Sequence, residues 1–366
     1  MGGQQSQDHL AACRRSSAGQ KHNATLQLGL WGVHMVKRGG LATPDKNKRK
    51  KLQKTVEETS PAAAQQSTLS ICVPGSVVDN CQTREQATIV AGQIARTAAI
   101  FNVDEVVVID DSGARSGEVG AGAAFLARIL QYMETPQYLR KTLVAMHQDL
   151  RMAGSLPPLD APHHLRASEW GPYREGIVKS SDPAWGSTFD IGLEQDAFVE
   201  EALRPGLRVT LAMGESAEHM TISKGPFAGQ VVLRGCLAHP LDPKQQRGMY
   251  WGYQTRLAPN LAAALSDCPF QASYDLKIGT SERGKVSPAK SLKLPSAKHV
   301  LVAFGGPLGL EHCQKVAGEG DGNDVSHQFD MYLNTCQKQG SRTIRTEEAI
   351  LISLTYLQDA LQASIT

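Results

Sequence analysis

The amino-acid sequence predicts an α/β protein with a small antiparallel β-barrel inserted into it. Between Leu69 and Met133, strand-like and helix-like segments alternate, which is the rhythm of a parallel sheet covered by helices. From about Arg166 to Leu265 the chain changes to short segments with a period of two, separated by glycine and proline. The α/β pattern returns near Tyr274. The predicted organisation is an N-terminal arm (1–67), one α/β domain (68–165 and 266–366) and an inserted barrel (166–265).

The first α/β segment is predicted to contain two strands and two helices. Leu69–Val73 is a short apolar run ended by proline and glycine, which is typical of a strand. Apolar residues then recur at helical spacing between Arg84 and Phe101, so this segment is predicted to be a helix. A buried strand over Val103–Ile109 and a second helix over Ala123–Met133 follow, the latter with its large apolar residues on one face.

The inserted segment is predicted to be a barrel that ends in a strand over Met249–Leu257. Alternation of apolar and polar residues is clearest between Gly206 and Met213. The last predicted strand carries three aromatic residues and one cation: Tyr250, Trp251, Tyr253 and Arg256. Aromatic side chains beside a cation either form a surface on which RNA bases stack, as in small nucleic-acid-binding barrels, or lie in the barrel core. The sequence leaves both interpretations open.

The C-terminal segment is predicted to complete the parallel sheet. Val300–Phe304 is a compact apolar strand that runs into a glycine turn, and Phe329–Leu333 is a second short strand. Thr346–Leu361 is predicted to be the final helix, because Thr346 can cap its N-terminus and two glutamates follow in the first turn. Its apolar stripe consists of Ile350, Leu354, Leu357 and Leu361.

The composition excludes several classes of protein. Hydrophobic residues make up 41% of the 366, so the chain can bury a sizeable core and is not wholly disordered. No apolar run reaches the roughly 18 residues that a membrane helix needs. Seven scattered cysteines without a C-x-x-C pair argue against a disulfide framework or a zinc site, and we expect a reducing, intracellular setting. The adjacent His163 and His164 lack a third ligand at metal spacing, which favours a turn or an RNA contact over a metal.

Residues 1–67 are predicted to form a disordered basic arm. Eight lysines and arginines and one aspartate lie within residues 37–54, and Lys48, Arg49, Lys50 and Lys51 are consecutive. Such a run is typical of an arm that binds nucleic acid or of a nuclear or nucleolar address, and it also fits a solvated linker. Both interpretations remain open at this point.

Three glycine-bearing turns in the last hundred residues are the candidate ligand site. They are Ile278–Gly284, Phe304–Leu310 and Asn334–Glu348. Ligands of an open parallel sheet bind at the carboxyl ends of its strands, and glycine lets the backbone approach a ligand closely. Neither a G-x-x-x-x-G-K-[ST] loop nor a G-x-G-x-x-G turn after the first strand is present. A ligand held chiefly by backbone groups, such as S-adenosylmethionine, therefore fits better than ATP or NAD.

The sequence resembles the SPOUT class of RNA methyltransferases. Within that class it is similar to the eukaryotic and archaeal subfamily that carries a β-barrel insertion and includes a vertebrate spindle- and centromere-associated member. The resemblance rests on Val73–Ser76, Ala91–Arg96, Val103–Glu105, Ala127–Tyr132, Gln137–Lys141, His147–Leu150, Pro162–His164, Tyr250–Tyr253, Ile278–Gly284, Phe304–Gly306 and, most specifically, Gly340–Ala349. Two departures are a shorter, less charged N-terminal region and a shortened Asp111–Gly122 segment.

The resemblance implies a deep C-terminal trefoil knot that holds S-adenosylmethionine, with a homodimer whose active site lies near the subunit interface. Knots are rare exceptions to ordinary topology, and no sequence pattern reveals one. The residues expected to line the cofactor are Ile278, Gly279, Thr280, Gly305, Gly306, Leu308, Gly309, Asn334, Thr335, Gly340, Ser341, Ile344 and Thr346. Several of the glycines also fit a simpler role as tight turns.

Arg342 and Arg345 are the predicted catalytic residues. Arginine grips a phosphate or a carbonyl with two donors, so these side chains are expected to contact RNA or to stabilise charge on the target base. Glu282 and Arg283 are expected to face the RNA, together with the basic arm and the barrel. The sequence does not discriminate Glu282 from Glu347 as a general base.

The expected function is S-adenosylmethionine-dependent methylation of a base in structured RNA, with uridine N3 of large-subunit ribosomal RNA as the leading target. We expect the protein in the nucleus or nucleolus, with a possible spindle or kinetochore role in mitosis. One alternative is an inactive RNA- or spindle-associated scaffold, which cofactor binding would test. A second is a nucleotide-dependent dehydrogenase, against which the missing dinucleotide motif argues.

Overall fold

A computed structural model of the protein describes residues 67–113, 118–318 and 324–365. These residues divide into two compact units. The first comprises the described parts of 64–134, 146–160 and 252–366, and the second comprises 135–145 and 161–251. We call them the α/β unit and the inserted unit. No helix within the described ranges has the length and apolar character needed to span a membrane.

The strands in chain order are β1 (Thr68–Pro74), β2 (Glu105–Ile109), β3 (Tyr173–Asp182), β4 (Gly186–Asp190), β5 (Ala197–Val199), β6 (Arg208–Ala212), β7 (His219–Thr221), β8 (Val231–Arg234), β9 (Cys236–Ala238), β10 (Gln254–Ala258), β11 (Leu276–Val286), β12 (His299–Ala303) and β13 (Met331–Asn334). The α-helices are α1 (Arg84–Ile100), α2 (Ala121–Glu134), α3 (Gln137–Leu143), α4 (Asp242–Arg247), α5 (Leu261–Ser266), α6 (Gly309–Val316) and α7 (Thr346–Ile365).

The α/β unit is built on a six-stranded sheet in the order β10-β2-β1-β12-β11-β13. Every pairing in it is parallel, which confirms the predicted parallel α/β architecture. All residues of β2 and β12 are buried, as is typical of a parallel sheet with both faces covered. After their first residues, Glu105 and His299, both strands are accordingly continuous apolar runs.

The helices of the α/β unit form where the apolar spacing predicts them. Helix α1 begins after Thr83, whose hydroxyl accepts a hydrogen bond from the Gln86 N–H at 3.2 Å. Ile350, Leu354 and Leu357 on α7 are buried, so the predicted apolar stripe of the last helix does face the core.

The inserted unit contains a seven-stranded sheet in the order β7-β8-β5-β4-β3-β6-β9. Its pairings are antiparallel except for β5 with β8. Phe189, Val209 and Leu211 form part of its core. The period-two pattern therefore predicted an antiparallel unit correctly, whereas the closure of this sheet into a barrel stays a prediction.

The predicted last barrel strand, Met249–Leu257, is wrong. The chain forms a strand only from Gln254, and this strand, β10, pairs in parallel with β2 in the α/β unit, with Gln254 opposite Glu105. The inserted unit accordingly runs over 161–251, with 135–145 added, rather than over 166–265. The cause is that a period of two marks a strand with one buried face and carries no information about which sheet the strand joins.

Candidate cofactor and RNA site

The three glycine-bearing segments selected from the sequence are joined by hydrogen bonds at the carboxyl edge of the parallel sheet. The prediction that Ile278–Gly284 is a turn is wrong, because this segment lies within β11, whose pairing with β13 is irregular between Thr280 and Lys285. The Thr280 hydroxyl on β11 donates to the Ala303 carbonyl at 2.8 Å. The Thr346 hydroxyl donates to the Gly305 carbonyl at 2.8 Å, and the Asn334 side-chain amide donates to the Glu282 carbonyl at 2.8 Å. The structure thus brings together in one network the segments that the sequence analysis selected separately.

Two glycines of β11, the predicted cofactor-lining Gly279 and its neighbour Gly284, are required by the packing of β11 against β13. A Cβ atom on Gly279 would lie 2.6 Å from a ring carbon of Tyr332, and one on Gly284 would overlap the backbone of Leu333. Close approach of two strands is therefore sufficient to explain these glycines. Contact of Gly279 with the cofactor stays a prediction.

The turn after β12 is tight and exposes its backbone. The Gly309 N–H donates to the Gly306 carbonyl at 3.0 Å, and Gly309 has a φ of 79°, a backbone conformation that favours glycine. A Cβ on Gly305 would lie 2.9 Å from the Gly309 Cα. Leu308 at the tip is 69% exposed, which leaves an apolar side chain open beside the turn.

The residues around these turns fit S-adenosylmethionine. The segments 278–280 and 304–310 contain no charged residue, and they offer backbone groups, the Thr280 hydroxyl and the apolar Leu308. Ile344 is half-buried, whereas Gly340 and Ser341 are exposed. The Thr335 hydroxyl is already hydrogen-bonded to Ser353 of α7 at 2.7 Å. Neutral polar groups with apolar surface suit an adenosine and a methionine chain better than a phosphate.

Arg342 and Arg345 lie on the exposed surface beside this network. Neither guanidinium makes an ion pair with any described residue. The Arg345 N–H donates to the Glu348 carboxylate at 2.9 Å, which fixes the backbone where α7 begins. Burial and the nearby Glu347 raise the pKa of Cys81 while Arg345 lowers it, so Arg345 and Glu347 face the segment that follows β1. The two arginines are therefore accessible to a large substrate.

Glu282 and Arg283, predicted to face RNA, are both exposed. Arg283 lies 3.9 Å from Glu311 on α6, a distance at which an exposed pair contributes little to stability. Lys48, Arg49, Lys50 and Lys51 lie outside the described residues, so the basic arm stays a prediction.

The predicted base-stacking surface is wrong for the three aromatic residues. Tyr250, Trp251 and Tyr253 are only 8%, 4% and 1% exposed. The Trp251 indole N–H donates to the Glu175 carboxylate at 2.7 Å, and the Tyr253 hydroxyl donates to the Leu130 carbonyl at 3.0 Å. Both polar tips are satisfied by buried protein groups, as packed aromatic residues require, and no ring face is left for a base.

Arg256 is likewise a structural residue rather than an RNA contact. Its Nε donates to the buried Glu105 carboxylate at 2.7 Å, and its Nη2 donates to the Tyr274 hydroxyl at 3.1 Å. Tyr274 completes the cluster by donating to Glu105 at 2.5 Å. Burial alone would lower the pKa of Arg256, but the Glu105 carboxylate outweighs it and the pKa is raised.

The histidine pair offers no metal site. His163 is fully buried, and its ring meets that of His164 edge-on with 4.3 Å between centroids. Within the described ranges no group of three or more histidine, cysteine, aspartate or glutamate side chains is placed to hold a metal ion.

Sequence analysis missed the contact between Ser76 and Asp111. The Ser76 N–H and hydroxyl both donate to the Asp111 carboxylate, at 2.9 and 2.5 Å. Ser76 closes one of the segments on which the family resemblance rests, and Asp111 opens the shortened one. Each of the two residues lies shortly after a predicted strand, and this position was the signal that could have marked them as candidates.

Comparison with known proteins identifies the family. Residues 68–357 match the family model described as "Putative RNA methyltransferase". The human 28S rRNA (uridine-N(3))-methyltransferase is 45% identical over 329 residues, covering 84% of each chain. The Drosophila melanogaster protein of the same name is 40% identical, covering 82% of this chain and 63% of its own. An uncharacterised Halobacterium salinarum protein is 30% identical over 78% of this chain and 97% of its own. The chain therefore belongs to this family of SPOUT-class RNA methyltransferases and is an enzyme that uses S-adenosylmethionine as its methyl donor.

Proposed function

We propose that the enzyme methylates N3 of a uridine in large-subunit ribosomal RNA. The observation that carries this proposal is the 45% identity to the human 28S rRNA (uridine-N(3))-methyltransferase across 84% of the chain. The mouse and Drosophila proteins with the same name agree with it. The matched range, 68–357, includes all three glycine-bearing segments of the candidate site.

The chain contributes to the reaction in two ways: it holds the cofactor, and it stabilises negative charge on the target base. S-adenosylmethionine supplies an activated methyl group, and the segments 278–280, 305–309 and 334–346 would hold it. Transfer forms a bond from uridine N3 to the methyl carbon and breaks the sulfonium S–CH3 bond, with S-adenosylhomocysteine as the leaving group, and the N3 proton passes to solvent. Loss of that proton spreads negative charge over the two neighbouring ring carbonyls. Arg345 and Arg342 are exposed and unpaired among the described residues, so they are placed to donate to those carbonyls or to the RNA backbone. Positioning supplies most of the remaining acceleration.

The direct test is methyl transfer to ribosomal RNA from cells that lack the enzyme. Under single-turnover conditions we expect one new 3-methyluridine in the large-subunit RNA, detected by mass spectrometry of nucleosides. RNA from wild-type cells is the control and should accept almost no methyl group, because its site is already modified. Protein that binds cofactor and RNA yet methylates no cellular RNA would favour the scaffold alternative.

We also propose the trefoil knot and the closed barrel for this chain. The knot is supported by the way the 334–346 segment contacts two other turns, through Asn334 with Glu282 and through Thr346 with Gly305. The barrel is supported by the seven short, mainly antiparallel strands of the inserted sheet, because the twist between neighbouring strands accumulates across a sheet. An experimental structure of the full chain tests both.

We also propose a homodimer, which the family resemblance implies and which exposed apolar side chains support. Leu351 on α7, Val286 at the end of β11 and Leu308 are large apolar side chains that are exposed in the single chain. Burial of such residues against a second copy would remove them from water. Sedimentation at micromolar concentration is expected to give a species of twice the 39.4 kDa chain mass. A single species at the chain mass would contradict the dimer.

The basic arm is proposed to increase RNA affinity without touching the cofactor. Replacing Lys48, Arg49, Lys50 and Lys51 by glutamine should weaken binding of all structured RNAs. Each lost phosphate contact should lower the slope of log affinity against log salt by roughly one. S-adenosylmethionine affinity, measured by calorimetry, should stay at the wild-type value. An unchanged salt slope would assign the arm to another role.

The same arm supports a nuclear or nucleolar location. We propose that location for the enzyme, and a spindle or kinetochore association in mitosis as its second site. Fluorescence microscopy of the tagged full chain, compared with the glutamine variant of the arm, tests both.

A further inference from the structure

The shortened segment that follows β2 begins with a buried carboxylate, Asp111. Asp111 is 5% exposed, and its two oxygens accept from the N–H and the hydroxyl of Ser76, at 2.9 and 2.5 Å. Ser76 lies in the single 3₁₀ turn that follows β1. Because β1 and β2 are neighbours in the sheet, this pair joins the carboxyl ends of two adjacent strands. A carboxylate with two such donors is held in one orientation, since charge-assisted hydrogen bonds are short and strong.

Ser76 also touches the turn that is predicted to hold the cofactor. A Cβ atom added to Gly306 would lie 2.6 Å from the Ser76 hydroxyl oxygen, closer than real Cβ atoms come to such an atom. The next nearest atoms belong to Pro74, at the ordinary contact distance of 3.4 Å. Position 306 is therefore glycine because the Ser76 hydroxyl occupies the space that a side chain would need.

The contact continues through the turn to the start of α7. The Gly305 carbonyl accepts from the Thr346 hydroxyl at 2.8 Å, and Thr346 directly follows Arg345. Asp111, Ser76, the Gly305–Gly306 turn and Thr346 thus form a continuous series of contacts. It begins in the crossover after β2 and ends beside the predicted catalytic arginine.

We propose that the Asp111–Ser76 pair positions the Gly305–Gly306 turn for S-adenosylmethionine binding. Asp111 and Ser76 are positioning residues, since they act through the turn and not on the substrate. The proposal rests on the family's use of S-adenosylmethionine and on the predicted contact of this turn with it. It does not depend on which nucleotide is methylated. Loss of the Ser76 hydroxyl leaves one oxygen of the buried Asp111 carboxylate without its donor, and loss of the Asp111 carboxylate leaves the Ser76 N–H and hydroxyl without their acceptor. Either change frees the turn to move.

A double-mutant cycle on Ser76 and Gly306 tests the proposal, with S-adenosylmethionine affinity of the full chain measured by calorimetry. Gly306→Ala alone should weaken binding about tenfold or more, because the new methyl group meets the Ser76 hydroxyl. In a Ser76→Ala background the same change should cost less than about threefold, a difference within the range of contacting pairs. If Gly306→Ala costs the same in both backgrounds, the turn is not positioned by Ser76 and the proposal fails.

Kinetic constants separate positioning from a purely structural role. Ser76→Ala and Asp111→Ala should raise KM for S-adenosylmethionine while leaving KM for RNA unchanged, and Asp111→Asn should recover part of the loss because its amide still accepts the Ser76 N–H. Ser70→Ala is the matched control: this buried serine lies on β1, the strand that precedes the turn containing Ser76, and its hydroxyl has no hydrogen-bond partner in the part of the chain that the structure describes. A KM that does not move in the Ser76 and Asp111 variants, or that moves equally in the Ser70 variant, overturns the assignment.

These measurements also distinguish failure of the inference from failure of the proposed function. Calorimetry with the cofactor alone requires no RNA, so a wild-type enzyme that methylates a different base leaves the cycle intact. Conversely, a cycle without coupling removes Asp111 and Ser76 from the cofactor site and leaves the uridine assignment untouched.

Discussion

Replacement of Arg345 by alanine is expected to slow single-turnover methyl transfer about 100-fold, the usual cost of losing one donor to developing charge. The affinity for S-adenosylmethionine should stay within about twofold of wild type. Arg345 is exposed, and no ion pair with another described residue competes for its guanidinium. Its backbone N–H is bonded to Glu348, so the alanine variant keeps the start of α7. The measurement is the methyl-transfer rate at saturating RNA, read beside cofactor calorimetry.

Lys338 provides the matched control for Arg345. It is an exposed cation in the same 334–346 segment, and no ion pair with it is described. Lys338→Ala should therefore change the rate by less than about threefold, since it removes the same charge without the proposed contact. Transfer by Arg345→Ala at the wild-type rate would leave the family assignment intact and would move the catalytic role to Arg342 or another group.

Replacement of Glu105 by alanine is expected to destabilise the α/β unit by about 3–5 kcal/mol, the usual cost of breaking a buried ion pair from one side. Glu105 is fully buried on β2, where it accepts from Arg256 of β10 and from Tyr274. Without it, the Arg256 guanidinium and the Tyr274 hydroxyl lose their shared acceptor. Glu105→Gln, which retains one acceptor oxygen, should lose less.

Hydrogen exchange of the β2 and β10 amides is the suitable measurement, because the chain has two compact units and need not unfold in one step. Faster exchange should be confined to the α/β unit. Glu215→Ala is the control, since Glu215 pairs with Arg247 on the surface of the inserted unit and such exposed pairs contribute little. Unchanged protection of β10 in Glu105→Ala would mean that the pairing with Arg256 is dispensable.

Local patterns in the sequence predicted the elements of the α/β unit closely. The helix expected over Arg84–Phe101 is Arg84–Ile100, and the strand expected over Val300–Phe304 is His299–Ala303. Apolar spacing and capping residues act within a few positions of each other, so they are readable without knowledge of the fold. The three glycine-bearing segments of the candidate site were selected for the same reason, since each carries its own glycines, but Ile278–Gly284 is part of strand β11 and not a turn.

Contacts between distant parts of the chain could not be predicted in this way. Arg256 lies 151 residues from Glu105, and the pairing of β10 with β2 that joins them depends on the whole sheet. Trp251 lies 76 residues from Glu175. Because the Glu175 carboxylate accepts the indole N–H, Trp251 can be buried in the core without leaving a polar group unpaired. Aromatic residues beside a cation have the same sequence pattern in a core as on an RNA-binding surface, and only the distant acceptor separates the two cases.

The sheet order imposes a sequence of events during synthesis of the chain. Strand β1 is made early, but its neighbour β12 is made 231 residues later, as the contact between Thr68 and His299 illustrates. Similarly, β10, which pairs with β2, is synthesised only after all the strands of the inserted unit. The inserted unit forms from near neighbours, such as β3 with β4, and its strands have all been synthesised before β11 emerges from the ribosome. Pairing of near neighbours is fast, whereas distant parallel pairing is slow. The inserted unit is therefore able to fold while the outer edges of the β1–β2 pair still lack their neighbours β12 and β10. We therefore expect the nascent α/β unit to be the part of the chain most exposed to aggregation during synthesis.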